Sequence, residues 1–126
     1  MRAVDTNILV RIAAQDHAGQ LAVAELFIQP GAWVSHLVLA EALWVLSSFY
    51  EFAHARQVTF VEYMLEHESL RVQDPDVVEL ALAHFANQKK LSFTDCLVLE
   101  IARKAGHAPL GTFDKSLGKV PGAKAL

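Results

Sequence analysis

Short apolar runs alternate with longer stretches of helical periodicity along this chain, and that alternation narrows the fold more than any other feature. Residues 2–5 read as a strand, followed by helices over 7–14 and 19–28 and a turn at Pro30-Gly31. A second strand is expected over 32–35 (AWVS), then a helix from Leu37 to about Ser48. Another helix fits 53–67, where Ala53, Val58, Val61, Met64 and Leu65 recur at helical spacing. A third strand spans 70–73 (LRVQ), after which Asp74-Pro75 supplies an N-cap and first-turn proline for a helix to about Gln88. LSFTD leads into a helix from about 94 to 105, ended by Gly106. A fourth strand is expected over 108–112 (APLGT), a short helix or turn after Asp114, and a small fifth strand in AKAL at the end. Short strands alternating with helices imply an α/β fold with a central parallel sheet of four to five strands, flanked by helices. With no repeat, low-complexity tract or linker, residues 1–126 are expected to form one domain. Ligands of such sheets sit beyond the carboxyl ends of the strands, and both Asp5 and Asp114 fall just after a strand.

Composition excludes several classes. No apolar run approaches the roughly 18 residues of a membrane span, and Asp5 interrupts the N-terminal apolar run without a small-residue cleavage site following, so no secretion signal is expected. The lone Cys96 has no partner for an internal disulfide, which points to a reducing cytoplasm. The six histidines lack zinc-site spacing and read as surface or packing residues. The net charge of −3 conceals a division: residues 1–80 carry four basic and eleven acidic groups, residues 81–126 seven basic and three acidic. A basic segment in an acidic protein can grip a phosphate backbone, and it can equally be a set of solvated lysines.

Three acids have an ordinary structural use. Asp5 and Asp114 stand where an N-cap would stand, and Ser92 with Asp95 makes a fair capping box. Glu41 differs, because it lies inside HLVLAEALWVLSS with Leu37, Val38, Trp44 and Val45 on its helical face. Read as buried, such a carboxylate needs a cation, either Arg11 or a metal. Trp33, Trp44 and Cys96 read as core residues. The fold would gather Asp5, Glu41, Asp95 and Asp114, and an all-oxygen cluster of that kind suits Mg²⁺ or Mn²⁺. Thr6, Asn7 and Thr112 are placed to orient those acids, or simply to bond within turns and caps. The aromatic cluster SSFYEF (47–52) is either a packed helix corner or an exposed patch for a second subunit or partner helix.

Together VDTNIL, Glu41 in LAEALWVL, FTDCLVLEIA and LGTFDKSLGKVPGAKAL resemble the PIN-domain nucleases, and most closely the VapC-type toxins of toxin–antitoxin pairs. The resemblance covers essentially the whole chain. It implies a PIN domain over 1–126 in which Asp5, Glu41, Asp95 and Asp114 line a site for one or two Mg²⁺ or Mn²⁺ ions, with Asn7 and Thr112 in supporting positions. It also implies an endoribonuclease that hydrolyses RNA phosphodiester bonds, a homodimer, and a small antitoxin laid over the active site. Lys89, Lys90, Arg103, Lys104, Lys115 and Lys119 would hold flanking phosphates. The rival readings are a non-catalytic RNA-binding or interaction module on the PIN scaffold, a nuclease for DNA, and a phosphorylated receiver domain. The last would want adjacent acids after the first strand, and Asp5 has no acidic neighbour.

Overall fold

The computed structural model describes residues 1–126. In chain order it contains β1 (Arg2–Ala3), α1 (Thr6–Ala14), α2 (Ala18–Ile28), β2 (Ala32–Val34), α3 (His36–Ser48), α4 (His54–Glu66), β3 (Leu70–Val72), α5 (Pro75–Asn87), α6 (Phe93–Lys104), β4 (Leu110–Thr112), a 3₁₀ turn (Leu117–Lys119) and β5 (Ala123–Ala125). The alternation expected of an α/β chain is therefore present, element for element. Its strands divide between two parallel sheets, β1-β2-β3 and β4-β5, where one sheet was expected. They are only two or three residues long, so each ladder is short. No helix is long and apolar enough to cross a membrane.

The chain forms two compact units, Met1–Pro75 and Asp76–Leu126. In the first, β2 pairs with β1 on one side (Ala3 opposite Trp33) and with β3 on the other (Val34 opposite Val72). Alternation decides what these strands bury. Ala32, Val34, Leu70 and Val72 face inward, while Trp33 and Arg71 between them are exposed. Trp33 is thus not the core aromatic its type suggested. Leu9, Leu39, Leu46, Val61 and Met64 are fully buried and form the centre of this unit, where α1 packs chiefly on α3. Ser35 starts α3 by accepting the Val38 N–H on its hydroxyl, at 3.1 Å. Pro75 takes the first position of α5 as expected. Asp74 before it adopts φ +40°, however, outside the extended backbone of an ordinary N-cap.

The second unit is built on α5 and α6. Val77, Val78, Ala81 and Phe85 of α5 are buried, as are Phe93, Cys96, Leu97 and Leu99 of α6, and the Phe85 and Phe93 rings meet edge to face at 5.9 Å. The Ser92 hydroxyl accepts the Asp95 N–H at 3.1 Å, so one half of the expected capping box is formed. After Gly106 the chain returns as β4, turns through Leu117–Lys119 and closes with β5 beside β4 (Leu110 opposite Ala123, Thr112 opposite Ala125).

Candidate active site

In the first unit the line of β1 ends at Val4, whose N–H donates to the Trp33 carbonyl at 3.1 Å, and Asp5 follows at once. Its backbone is extended and its Oδ1 accepts the Asn7 N–H at 3.2 Å, so Asp5 is the N-cap of α1. Its Oδ2 has no protein partner and the side chain is exposed. Thr6, the next residue, donates its hydroxyl to Glu41 Oε2 at 3.1 Å. That bond ties the second turn of α3 to the start of α1 and leaves Glu41 Oε1 open.

Glu41 is not where the apolar sequence around it suggested. It is exposed, and of the four apolar residues on its face Leu37 and Trp44 are 76% and 66% exposed while Val38 and Val45 are half-buried. Positions 37, 41, 44 and 48 fall on one stripe of a 3.6-residue helix, and α3 turns that stripe outward. Its opposite side, Leu39, Ala42, Leu43 and Leu46, supplies the core. Burial thus places no demand for a cation on Glu41. Nor does Arg11 serve it, since Arg11 donates to Asp16 (3.2 Å), Gln20 (2.6 Å) and the Tyr50 hydroxyl (3.1 Å). The aromatic cluster at 47–52 splits: Phe52 is buried beneath Arg56, Tyr50 donates to Asp16 at 2.8 Å, and Phe49 projects outward.

In the second unit Asp95 lies in the first turn of α6, half-buried, and Asp114 lies two residues past the end of β4, after Phe113. Thr112 Oγ1 accepts the Asp114 N–H at 3.0 Å, and Asp114 Oδ1 accepts the Leu117 N–H at 2.9 Å. Asp114 is therefore a local cap of the 3₁₀ turn, with Oδ2 left open. Cys96 is fully buried, and burial followed by the charge of Asp95 pushes its thiol up to about 12, so it is no nucleophile.

The donors offered are all oxygen, chemistry that suits Mg²⁺ or Mn²⁺. Mg²⁺ commonly takes one or two carboxylates and completes its shell with water and phosphate. Asp5 Oδ2 and Glu41 Oε1 are two carboxylate oxygens of the first unit that have no protein partner. Within neither unit do three His, Cys, Asp or Glu side chains gather into a group able to hold an ion.

Glu100 is the acid that sequence reading passed over. It is 2% exposed inside CLVLEIA, and it accepts two bonds from Arg103 Nε (3.0 and 3.2 Å) and one from Arg103 Nη2 (3.2 Å), and pairs with His84 Nε2 at 2.9 Å. Arg103 also donates to the Pro121 carbonyl. Lys104 pairs with Asp76 at 3.0 Å. Of the six expected phosphate contacts, Arg103 and Lys104 are thus engaged within the protein, while Lys89, Lys90, Lys115 and Lys119 are exposed and without an ion pair.

Short parallel strands with carboxylates at their carboxyl ends define an α/β protein that offers hard oxygen donors where such folds bind ligands. The chain matches the PIN domain family over residues 2–123 and belongs to that family, whose members are generally nucleases. No significant match was found among curated proteins or among solved structures.

Proposed function

We propose that this PIN domain, residues 1–126, is an Mg²⁺- or Mn²⁺-dependent endoribonuclease and the toxin of a toxin–antitoxin pair. The observation that carries the reading is the Thr6–Glu41 hydrogen bond, which links a mid-helix carboxylate to the residue beside the strand-end Asp5. The toxin role, a homodimer and a covering antitoxin rest on the resemblance of the sequence motifs.

The metal-holding roles fall to Asp5 and Glu41 in the first unit and to Asp95 and Asp114 in the second. One or two bound ions supply positive charge at the scissile phosphate and favour ionisation of the attacking water. The chain's own part is orientation. Asn7 fixes one oxygen of Asp5 through its N–H, Thr6 fixes one of Glu41, and the Leu117 N–H fixes one of Asp114, so each acid presents a defined second oxygen. Thr112 holds the Asp114 backbone. Lys89, Lys90, Lys115 and Lys119 are the cations left for flanking phosphates.

Cleavage of a mixed labelled RNA pool by the purified chain tests the reading, with Mg²⁺, with EDTA, and with Asp5→Asn. Cutting that needs both metal and Asp5 is the expected result. RNA that stays intact throughout, with a melting temperature indifferent to Mg²⁺, overturns it. A non-catalytic RNA-binding or interaction module is the second reading. It is favoured by the capping bonds of Asp5 and Asp114, which give both acids a structural use, and it predicts binding without turnover.

A further inference from the structure

The last turn of α1, the corner at Phe52 and one side of α4 border an open pocket of about 270 Å³ that the nuclease reading leaves unused. It lies toward the far end of α1 from Asp5, about 12 Å along the helix axis, and is therefore separate from the carboxylates. Ile12, Phe52, Phe60 and Tyr63 supply apolar walls, and Gln15 and Arg56 supply polar ones. Phe52 and Phe60 are buried, while Tyr63 is exposed. The Arg56 guanidinium lies over the Phe52 ring, 3.7 Å from its centre, and its N–H donors meet no acceptor in the protein. The Gln15 side-chain amide and the Tyr63 hydroxyl are likewise without a hydrogen-bond partner. We infer that this pocket binds a small carboxylic acid built on a single apolar ring, with the ring among Ile12, Phe60 and Tyr63 and the carboxylate on Arg56.

Charge singles out an anion. The unit Met1–Pro75 carries nine acids against four arginines, yet no acid lines this pocket and its one charge is Arg56. Arg11 of the same unit pairs with Asp16. Arg56 instead packs on a ring, which fixes the guanidinium and leaves its fork for a planar carboxylate. Thr59 does not compete for the anion, because its hydroxyl donates to the Ala55 carbonyl at 3.0 Å. Size sets the rest. A cavity of about 150 Å³ takes benzene, and drug-sized ligands fill roughly 300–1,000 Å³. The pocket falls between the two and suits one ring with a short acidic arm. A docked helix would need several anchor sites in a row along a groove, and this pocket has room for one.

The test is titration of the purified chain with benzoate and with phenylacetate, followed by amide ¹H–¹⁵N spectra in EDTA and without RNA. The expected result is saturable shifts at the Ala13, Gln15 and Thr59 amides. Binding should weaken roughly tenfold or more with benzamide, which keeps the ring and loses the charge. Acetate, which keeps the charge and loses the ring, should leave these amides unmoved at the same concentrations. Arg56→Gln should weaken benzoate binding by a factor similar to that of benzamide, and thermal melts check that this exposed substitution leaves the fold intact. Equal affinity for benzoate and either control overturns the inference, as does an Arg56→Gln variant that binds as well as the wild type. The absence of saturable shifts with both acids overturns it as well. Shifts of the same amides on dilution of the free protein overturn it too, by making the pocket a contact between copies. With neither metal nor RNA present, the outcome is independent of the nuclease reading.

Discussion

Under the proposed function Asp5 serves on two oxygens: Oδ1 closes the first turn of α1, and Oδ2, which has no protein partner, is the proposed metal ligand. The two separate by substitution, because asparagine caps a helix about as well as aspartate while offering a far weaker metal ligand. Asp5→Asn is expected to abolish Mg²⁺-dependent cleavage with stability in EDTA unchanged or slightly raised, as read from urea unfolding. Asp5→Ala removes the cap as well and should cost about 1 kcal/mol. A large loss in Asp5→Asn would instead mark the carboxylate as purely structural. Glu41 and Glu100 make a complementary pair. Both interrupt apolar helical sequence, LAEALW and LVLEIA, and the same argument for a buried charge applies to either. Only Glu100 is buried, and it is answered by Arg103 and His84 rather than by a metal.

The Glu100 pairing fastens α6 to the closing turn of its unit. Arg103 runs from Glu100 to the Pro121 carbonyl, and the next residue, Gly122, bonds the start of β4 through the Leu110 N–H at 2.9 Å. Burial pushes the Glu100 carboxyl up, but the hydrogen bonds of Arg103 and then His84 outweigh it and hold it below the ordinary value of 4.5. Folding therefore favours the ionised form. This contribution is fully present above pH 4.5 and is lost as the pH falls through the lower folded value. Unfolding of the wild type and Glu100→Gln, compared from pH 7 downward, should show a gap of about 1–3 kcal/mol at neutral pH that closes in acid. Gly122 marks the other end of the brace. Its φ is +95° and a Cβ there would stand 2.5–2.8 Å from the Arg103 guanidinium. Gly122→Ala is expected to cost more than about 1 kcal/mol and to speed hydrogen exchange at the Leu110 amide, which a change at an ordinary loop position would not do.

Charge over the whole chain bears on how an RNA strand would be held under the proposed function. The excess of basic groups after residue 80 is smaller in effect than its count, because Arg103 and Lys104 are spent on Glu100 and Asp76. Four lysines remain, Lys89, Lys90, Lys115 and Lys119. If all four meet phosphates of a single strand, the logarithm of the binding constant should fall with that of salt concentration at a slope no steeper than about −3. Each Lys→Ala change among them should flatten the slope by about 0.7, whereas Lys104→Ala should leave it unchanged. A slope steeper than this would bring other cations into the interface.

The order and type of the elements were legible in the chain because local signals set them: apolar period, Ser92 as a cap, Pro75 at a first turn, Gly106 after α6. The strand-end positions of Asp5 and Asp114 followed directly from that order. Three things were decided by tertiary contacts alone. The five strands pair as three and two, since a run of two or three residues carries no signal naming its neighbour. Arg103 and Lys104 belong to internal acids, since a lysine or arginine in sequence does not show which anion it will reach. Above all, α3 is apolar on nearly every side, so its pattern could not say which face is buried. Packing against α1 and α4 chose the side of Leu39, Leu43 and Leu46, and so turned Glu41 and Trp44 to the solvent.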